Sequence, residues 1–387
     1  MLTKILFTFA AIKVCSAIGC DQPGFSKCIC GDIEFRGKVQ YVLNCTDVGF
    51  TNASVLSQLP PQIQVLIFTG NNIPELPWNV FGTKNSNEQL TEVDMSNNNI
   101  REIRGKTYHR VPNVERLILN HNQISTIFEG KIQQHPRVFS NFESLEELHL
   151  TDAFADNSPE DIAAVLHNIF INSDLSRLKK LHLEQNEISH FTDPRLFCDL
   201  RDLMDLHLGT NKLSGIDFMV DCLKHLRFID LEANAIKQLS LRDLSILDSL
   251  PDRNQNLTVD LSNNPLSCGC DIQDFFNWLK RTRVTIRNKD KLKCQNDLQG
   301  NDQSLVELKQ VDCPRTVKVG VPVSQCPTES NHTVTFLAIA LAVCLAMHVY
   351  THRVKLQEKF LKPVLHSVSN KVQYTSVGKQ ETQEIGV

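Results

Sequence analysis

No strong charge imbalance marks this chain. Its 387 residues carry 40 Lys and Arg against 44 Asp and Glu, a formal net charge of −4. That is too near neutral for a protein held on nucleic acid by its charge, so no nucleic-acid partner is expected. Nucleophile–base pairs, phosphate-binding loops and metal-ligand motifs are also missing. The expectation is therefore no enzyme, no cofactor and no bound metal. The segment after the last hydrophobic stretch, residues 351–387, is far short of the ~100 residues that a kinase or a Toll-type signalling domain needs. Direct enzymatic signalling from that end is not expected.

What the chain does have is cysteine. Thirteen in one chain point to an oxidising compartment. The N-terminus agrees: Lys4, the apolar "ILFTFAAI" and the small-residue "CSA" read as a signal peptide over residues 1–17. Near the other end, "TVTFLAIALAVCLAMHVY" (Thr333–Tyr350) is apolar enough and just long enough for one transmembrane helix, 333–350. His352, Arg353, Lys355, Lys359 and Lys362 follow it, a basic flank that places 351–387 in the cytoplasm. The expected topology is a single-pass type I protein of the plasma membrane, its N-terminus extracellular, with a stalk at 315–332.

Between these ends the pattern LxxLxLxxNxL recurs. It starts at residues 63, 90, 114, 145, 178, 203, 226 and 256, spacings of 23 to 33. This is a leucine-rich repeat array. Alternating apolar positions form a short strand with one face inward. The asparagine turns the chain, and its amide can bond the backbone of the neighbouring coil. One coil buries too little to offset the ordering of its own backbone, so coils must stack into a curved solenoid. The expected fold class is α/β, with a parallel sheet on the concave face. The repeats divide into a first block, 61–150, and a second, 178–266. The copy at Leu145 is degenerate, with Ala153 where the asparagine belongs. The interruption 151–177 carries helix signals: Ser158 as N-cap, Pro159 at the first position, and Ile162, Val165, Leu166, Ile169 and Phe170 on one face. A helix packed on the solenoid is the expectation, and a partner-docking helix the alternative.

The ends of a stack need lids. Cys20, Cys28, Cys30 and Cys45 lie in an N-cap, 18–60. Cys268, Cys270, Cys294 and Cys313 lie in a C-cap, 267–314, where Phe275, Phe276, Trp278 and Leu279 form an apolar helix face. Spacing alone leaves three connectivities open for each set of four, and a zinc site is the alternative for either cluster. Cys198 and Cys222 fall at nearly the same phase of successive coils, so a bridge between coils is expected, with two buried thiols as the alternative. Each bridge contributes ~3 kcal/mol by constraining the unfolded chain. Cys326 in the stalk is either a free thiol or a disulfide-linked dimer contact.

"NNPLSCGCDIQDFFNWLK" resembles known C-terminal leucine-rich caps, which implies Cys268–Cys294 and Cys270–Cys313. More broadly, "QLPPQIQVLIFTGNNIPELP", "ILNHNQIS" and the position of the "PED" interruption make the chain from about Cys20 to His352 resemble the trophoblast glycoprotein family. The resemblance implies a cell-surface glycoprotein that inhibits Wnt signalling and affects adhesion or migration. Its partner would be an extracellular or membrane protein, a Wnt pathway receptor in the sharper form. The family's tail ends in a PDZ-ligand type. Here the end is Glu384-Ile385-Gly386-Val387, where Ile385 replaces the hydroxyl residue, so a PDZ protein remains only a weaker expectation.

Position five of each strand points to the concave side. That column reads Ile67, Asp94, Ile118, His149, His182, His207, Asp230, Asp260, and beside it lie Glu92, Glu115, Arg116, Lys179, Lys180, Arg227 and Phe228. From Glu92 to Asp230 these, Ile118 excepted, are the candidate binding face, because solenoids present an extended inner surface. The three histidines should stand ~5 Å apart. A metal site or pH-sensitive patch is the sharper reading, and a solvated protein-contact surface without metal is the one adopted. Sequons at Asn52, Asn256, Asn44 and Asn331, in that order of expectation, are the glycosylation sites. The main alternative function is an adhesion receptor without a direct signalling role. A Toll-like co-receptor is disfavoured by the short tail.

Overall fold

The structure, a computed structural model, describes residues 20–83, 87–125, 127–128, 131–132, 138–155, 159–249, 257–269, 272–295, 302–305, 307, 341, 343 and 347–348. The signal peptide, Cys270, Cys313, Cys326, Asn256, Asn331 and the tail lie outside them. So does all but four residues of the expected membrane span. No helix among the described residues is long and apolar enough to cross a membrane. The chain divides into two units, 1–313 and 314–387. Of the second, only Leu341, Val343, Met347 and His348 are described, all helical and exposed.

The first unit is built on one sheet of eleven strands. β1 (Ile29–Phe35) and β2 (Lys38–Asn44) form an antiparallel hairpin. Nine short strands then follow in parallel: β3 (Val65–Ile67), β4 (Glu92–Asp94), β5 (Arg116–Ile118), β6 (Glu147–His149), β7 (Lys180–His182), β8 (Asp205–His207), β9 (Phe228–Asp230), β10 (Thr258–Asp260) and β11 (Thr285–Arg287). Each of β3–β10 comes from one copy of the repeat, and spatial order follows chain order. This is the leucine-rich repeat solenoid with its parallel sheet.

Alternation along each strand sets its inward side. The middle residues Leu66, Val93, Leu117, Leu148, Leu181, Leu206, Ile229 and Val259 are in register and fully buried. The next apolar position of each repeat, from Phe68 to Leu261, is equally buried. Behind them runs an aromatic spine. Tyr108 lies 5.0 Å from Phe142, and Phe197 meets Phe191 and Phe218 edge-on at 5.2 and 5.5 Å.

Asparagine ties coil to coil. Asn211 Oδ1 accepts the N–H groups of Asn186 and Ile188, both at 3.0 Å, and its Nδ2 donates to the carbonyls of Leu183 and Leu208. Asn122 does the same for Asn98 and Ile100. The turn is tight enough to hold the residue before the asparagine at positive φ, as in Gln185 (59°) and Ala233 (52°), and the ladder offsets that strain. At Ala153 there is no amide to complete the ladder. The N–H groups of Asn122 and Ile124 instead reach the backbone carbonyls of Asp152 and Ala153, at 3.1 and 2.9 Å. The ladder resumes at Asn186, whose Oδ1 accepts the Ala153 N–H at 2.9 Å.

After that degenerate copy, the helix α1 (Pro159–Phe170) buries Ile162, Val165, Leu166, Ile169 and Phe170 in the core. Its apolar face is therefore filled from within, and a docking role for that face is set aside. A second helix, α2 (Leu241–Ser249), buries Leu244 and Leu247. In the C-cap, α3 (Gln273–Leu279) buries Phe275, Phe276, Trp278 and Leu279.

The disulfides close both lids. Cys20–Cys30 and Cys28–Cys45 fix the N-cap connectivity that spacing left open. Cys198–Cys222 joins successive coils and Cys268–Cys294 holds the C-cap.

Candidate functional site

The open face of the sheet carries the predicted column in register. Ile67, Asp94, Ile118, His149, His182, His207, Asp230 and Asp260 are successive partners across β3–β10. All are partly exposed except Asp260, which is 1% exposed. The added strand β11 explains that exception: Arg287 stands in register with Asp260, and Ser262 bonds its carboxylate. Asn44, a sequon, begins the same column beside Ile67.

The residues beside the column do not stand alone in solvent, as the sequence suggested. Glu92 is buried, 8% exposed. It sits between Arg36 at 3.0 Å and Arg116 at 3.8 Å. Burial raises its pKa, and the two arginines oppose that shift. Arg116 also meets Glu147 at 2.5 Å, and Lys180 meets Glu147 at 3.0 Å. The result is a row of alternating charges from Arg36, in the turn between β1 and β2, to Lys180 on β7, in which each ion is paired with the next within 4 Å. Glu147 is held at about 2 by the His149 hydrogen bond, then by Lys180 and the Arg116 charge, against its own burial. Outside this row, Lys179 pairs with Glu146 at 2.7 Å, while Glu115 is exposed. Arg227 is exposed and grips Asp205 with both Nε and Nη2, at 2.8 and 2.9 Å. That contact raises its pKa further. Asp94 accepts hydrogen bonds from the Ser96 N–H and hydroxyl, at 3.0 and 2.6 Å.

The histidines form a stack. His149 and His182 lie 4.1 Å apart between ring centroids, and His182 and His207 lie 4.0 Å apart, both pairs nearly parallel. Phe228 closes the row edge-on to His207 at 5.2 Å, and Arg287 covers Phe228. Burial lowers the pKa of His149, and the Glu147 hydrogen bond opposes it. Glu184 faces the stack, with Oε1 2.9 Å from His182 Nδ1 and 3.6 Å from His207 Nδ1. Its other oxygen accepts Thr151 Oγ1 at 2.8 Å. Hydrogen bonds and the His182 charge overcome its burial and lower its pKa.

Arg36, Glu147, Glu184, Asp205 and Arg287 were not among the residues predicted for this face. Three of them were within reach of the sequence. In His182-Leu183-Glu184 the period of two puts both polar side chains on one side of the chain. Glu147 and Asp205 occupy the same strand position as Arg116 and Lys180. Arg36 arrives from the N-cap hairpin and Arg287 from beyond the last repeat, where no repeat position marks them.

Of the sequons within the described residues, Asn52 is exposed and its side chain accepts the Ser54 N–H at 3.0 Å. Asn44 is half-buried and bonded to Thr46.

A row of registered strands, an asparagine ladder and an open face of paired charges define a leucine-rich repeat protein. The leucine-rich repeat family model matches residues 88–152 and 176–236. The chain's homologues include the trophoblast glycoproteins. That of Macaca fascicularis is 27% identical over 324 residues, covering 81% of this chain and 72% of the relative. That of Mus musculus is 26% identical over 333 residues, covering 81% and 73%. The crystal structure of human 5T4, also called Wnt-activated inhibitory factor 1 and trophoblast glycoprotein, matches with a TM-score of 0.60 at 26% identity. That match covers 70% of this chain and 93% of the human one. Toll-like receptor 4 of Bos taurus is 26% identical over 298 residues, but those are only 31% of its length. By name these relatives are glycoproteins and receptors.

Proposed function

We propose that this chain is a cell-surface glycoprotein of the single-pass type I kind, whose solenoid binds a protein partner through its sheet face and modulates signalling. The specific reading is inhibition of Wnt signalling, with effects on adhesion or migration. The observation that carries it is the match to human 5T4, whose other name is Wnt-activated inhibitory factor 1, across 93% of that chain. The partner is an extracellular or membrane protein. Phe228 and Arg227, side by side on the sheet face, are the aromatic and arginine anchors that protein interfaces favour. The intact charge row from Arg36 to Lys180 orients a partner and excludes wrong ones.

A Wnt-reporter assay in cells expressing the full chain or a form truncated after residue 353 tests this reading. Repressed reporter output in both forms supports it. Unchanged output alongside strong cell aggregation supports an adhesion receptor instead. Enzymatic release of N-glycans from Asn52, and surface biotinylation of residues within 20–313, test the outward orientation.

A further inference from the structure

We propose that His182, Glu184 and His207 form a binding site for one divalent transition-metal ion of the zinc class on the sheet face. This goes beyond the protein-binding reading and stands without it. The histidine column alone left a metal site as the reading not adopted, because the column itself holds no anionic ligand between the histidines. Glu184 supplies it. Its Oε1 lies 2.9 Å from His182 Nδ1 and 3.6 Å from His207 Nδ1. Two donors bound to one ion at about 2.0–2.2 Å stand about 3.0–3.5 Å apart, and the three ligand atoms lie within 4.8 Å of one another, close enough for a small rotation of the rings to bring them together on one ion. All three side chains are about one-fifth exposed, which leaves the ion an entry path and restrains the ligands.

Two neighbours complete the case. Thr151 Oγ1 donates to the second oxygen of Glu184 at 2.8 Å and fixes the carboxylate, as outer partners of metal ligands do. Gly209 occupies the position that carries a side chain in most other coils. A Cβ there would stand 3.0 Å from Asp230 Oδ2. Its absence keeps open the space between Glu184, His207 and Asp230, and Asp230 Oδ2 is 3.9 Å from His207 Nδ1. Two imidazoles and a carboxylate suit Zn²⁺, Cu²⁺ or Ni²⁺ rather than Mg²⁺ or Ca²⁺. The rings are 11° from parallel, so their in-plane lone pairs run side by side. Binding requires rotation of the rings out of the stack, and that rotation is a signature of binding.

The test uses the untagged full-length chain in detergent, stripped with chelator and titrated with ZnCl2 by calorimetry and with CoCl2 by visible absorption. The expected result is one Zn²⁺ per chain at micromolar affinity or tighter, a cobalt d–d band, and shifted imidazole proton resonances. Glu184→Gln and Gly209→Val each weaken binding by at least about 10-fold, and His225→Ala, an exposed histidine elsewhere, leaves it unchanged. Glu184→Gln decides alone if Gly209→Val fails to fold. Affinity weaker than about 100 μM, or equal affinity in the wild type, Glu184→Gln and His207→Ala, overturns the proposal and leaves the stack as a hydrogen-bonded surface only.

Discussion

Replacing Asn211 by alanine isolates the interaction on which the stack depends. The side chain is 7% exposed. Its loss orphans the N–H groups of Asn186 and Ile188 and the carbonyl of Leu183. The carbonyls of Leu208 and Gly209 keep partners in Asn234 Nδ2 and the Gln185 N–H. Each orphaned buried group costs about 1–3 kcal/mol. Three of them give a loss of at least about 3 kcal/mol, a large part of the 5–15 kcal/mol that about any domain has in total. The comparison is Lys212→Ala, which removes only an exposed ion pair to Glu187 at 3.0 Å and should cost under about 0.5 kcal/mol. Urea unfolding followed by far-ultraviolet circular dichroism measures both. The reasoning is refuted if the two variants unfold at the same midpoint, or if Asn211→Ala costs less than about 1 kcal/mol.

Further outcomes follow from other features. Changing Cys198 and Cys222 together to serine opens a bridge across 24 residues and should lower stability by about 3 kcal/mol, seen as a shift in the same urea midpoint. Acid should weaken the array in two stages. His149 is held below its ordinary value of 6.5, so the unfolded chain takes up that proton first and stability falls as pH drops below 6.5. Glu147, held at about 2 against an ordinary 4.5, contributes fully above 4.5, and its contribution is lost as pH falls toward 2. The melting temperature of Glu147→Gln should lie below that of the wild type at pH 7 and approach it near pH 3; a constant gap across that range speaks against the charge row. Asn52→Gln should remove one glycan-dependent mobility step, whereas an unchanged gel shift would exclude occupancy of that exposed turn.

The repeat was legible because it is redundant. Five fixed positions recur in phase, and each strand from β3 to β10 starts within its copy. The column from Ile67 to Asp260 could be read because side chains alternate with period two. What escaped the sequence has a different origin. The N-cap pairing, Cys20–Cys30 and Cys28–Cys45, depends on a hairpin whose register no repeat fixes. Glu92 reads as a surface charge until Arg36 closes over it from that hairpin. Asp260 reads as exposed until β11 adds a strand beyond the last repeat. Ala153 reads as a defect, yet two backbone carbonyls from its own coil replace the missing amide. In the first three cases the deciding contact comes from a segment outside the periodic pattern; at Ala153 it comes from the backbone, which the side-chain pattern does not show.

The claim that the sheet face is the working surface is tested most directly by placing a glycan on it. His182→Asn with Glu184→Thr creates an acceptor at residue 182 in the middle of the column. Asp174→Thr creates one at Asn172, an exposed residue in the segment after α1. Reporter output in cells expressing each form, with equal surface levels, is the measurement. The account predicts that the glycan at 182 abolishes the effect and the glycan at 172 leaves it intact. Full effect with the glycan at 182, or loss only with the glycan at 172, would contradict it.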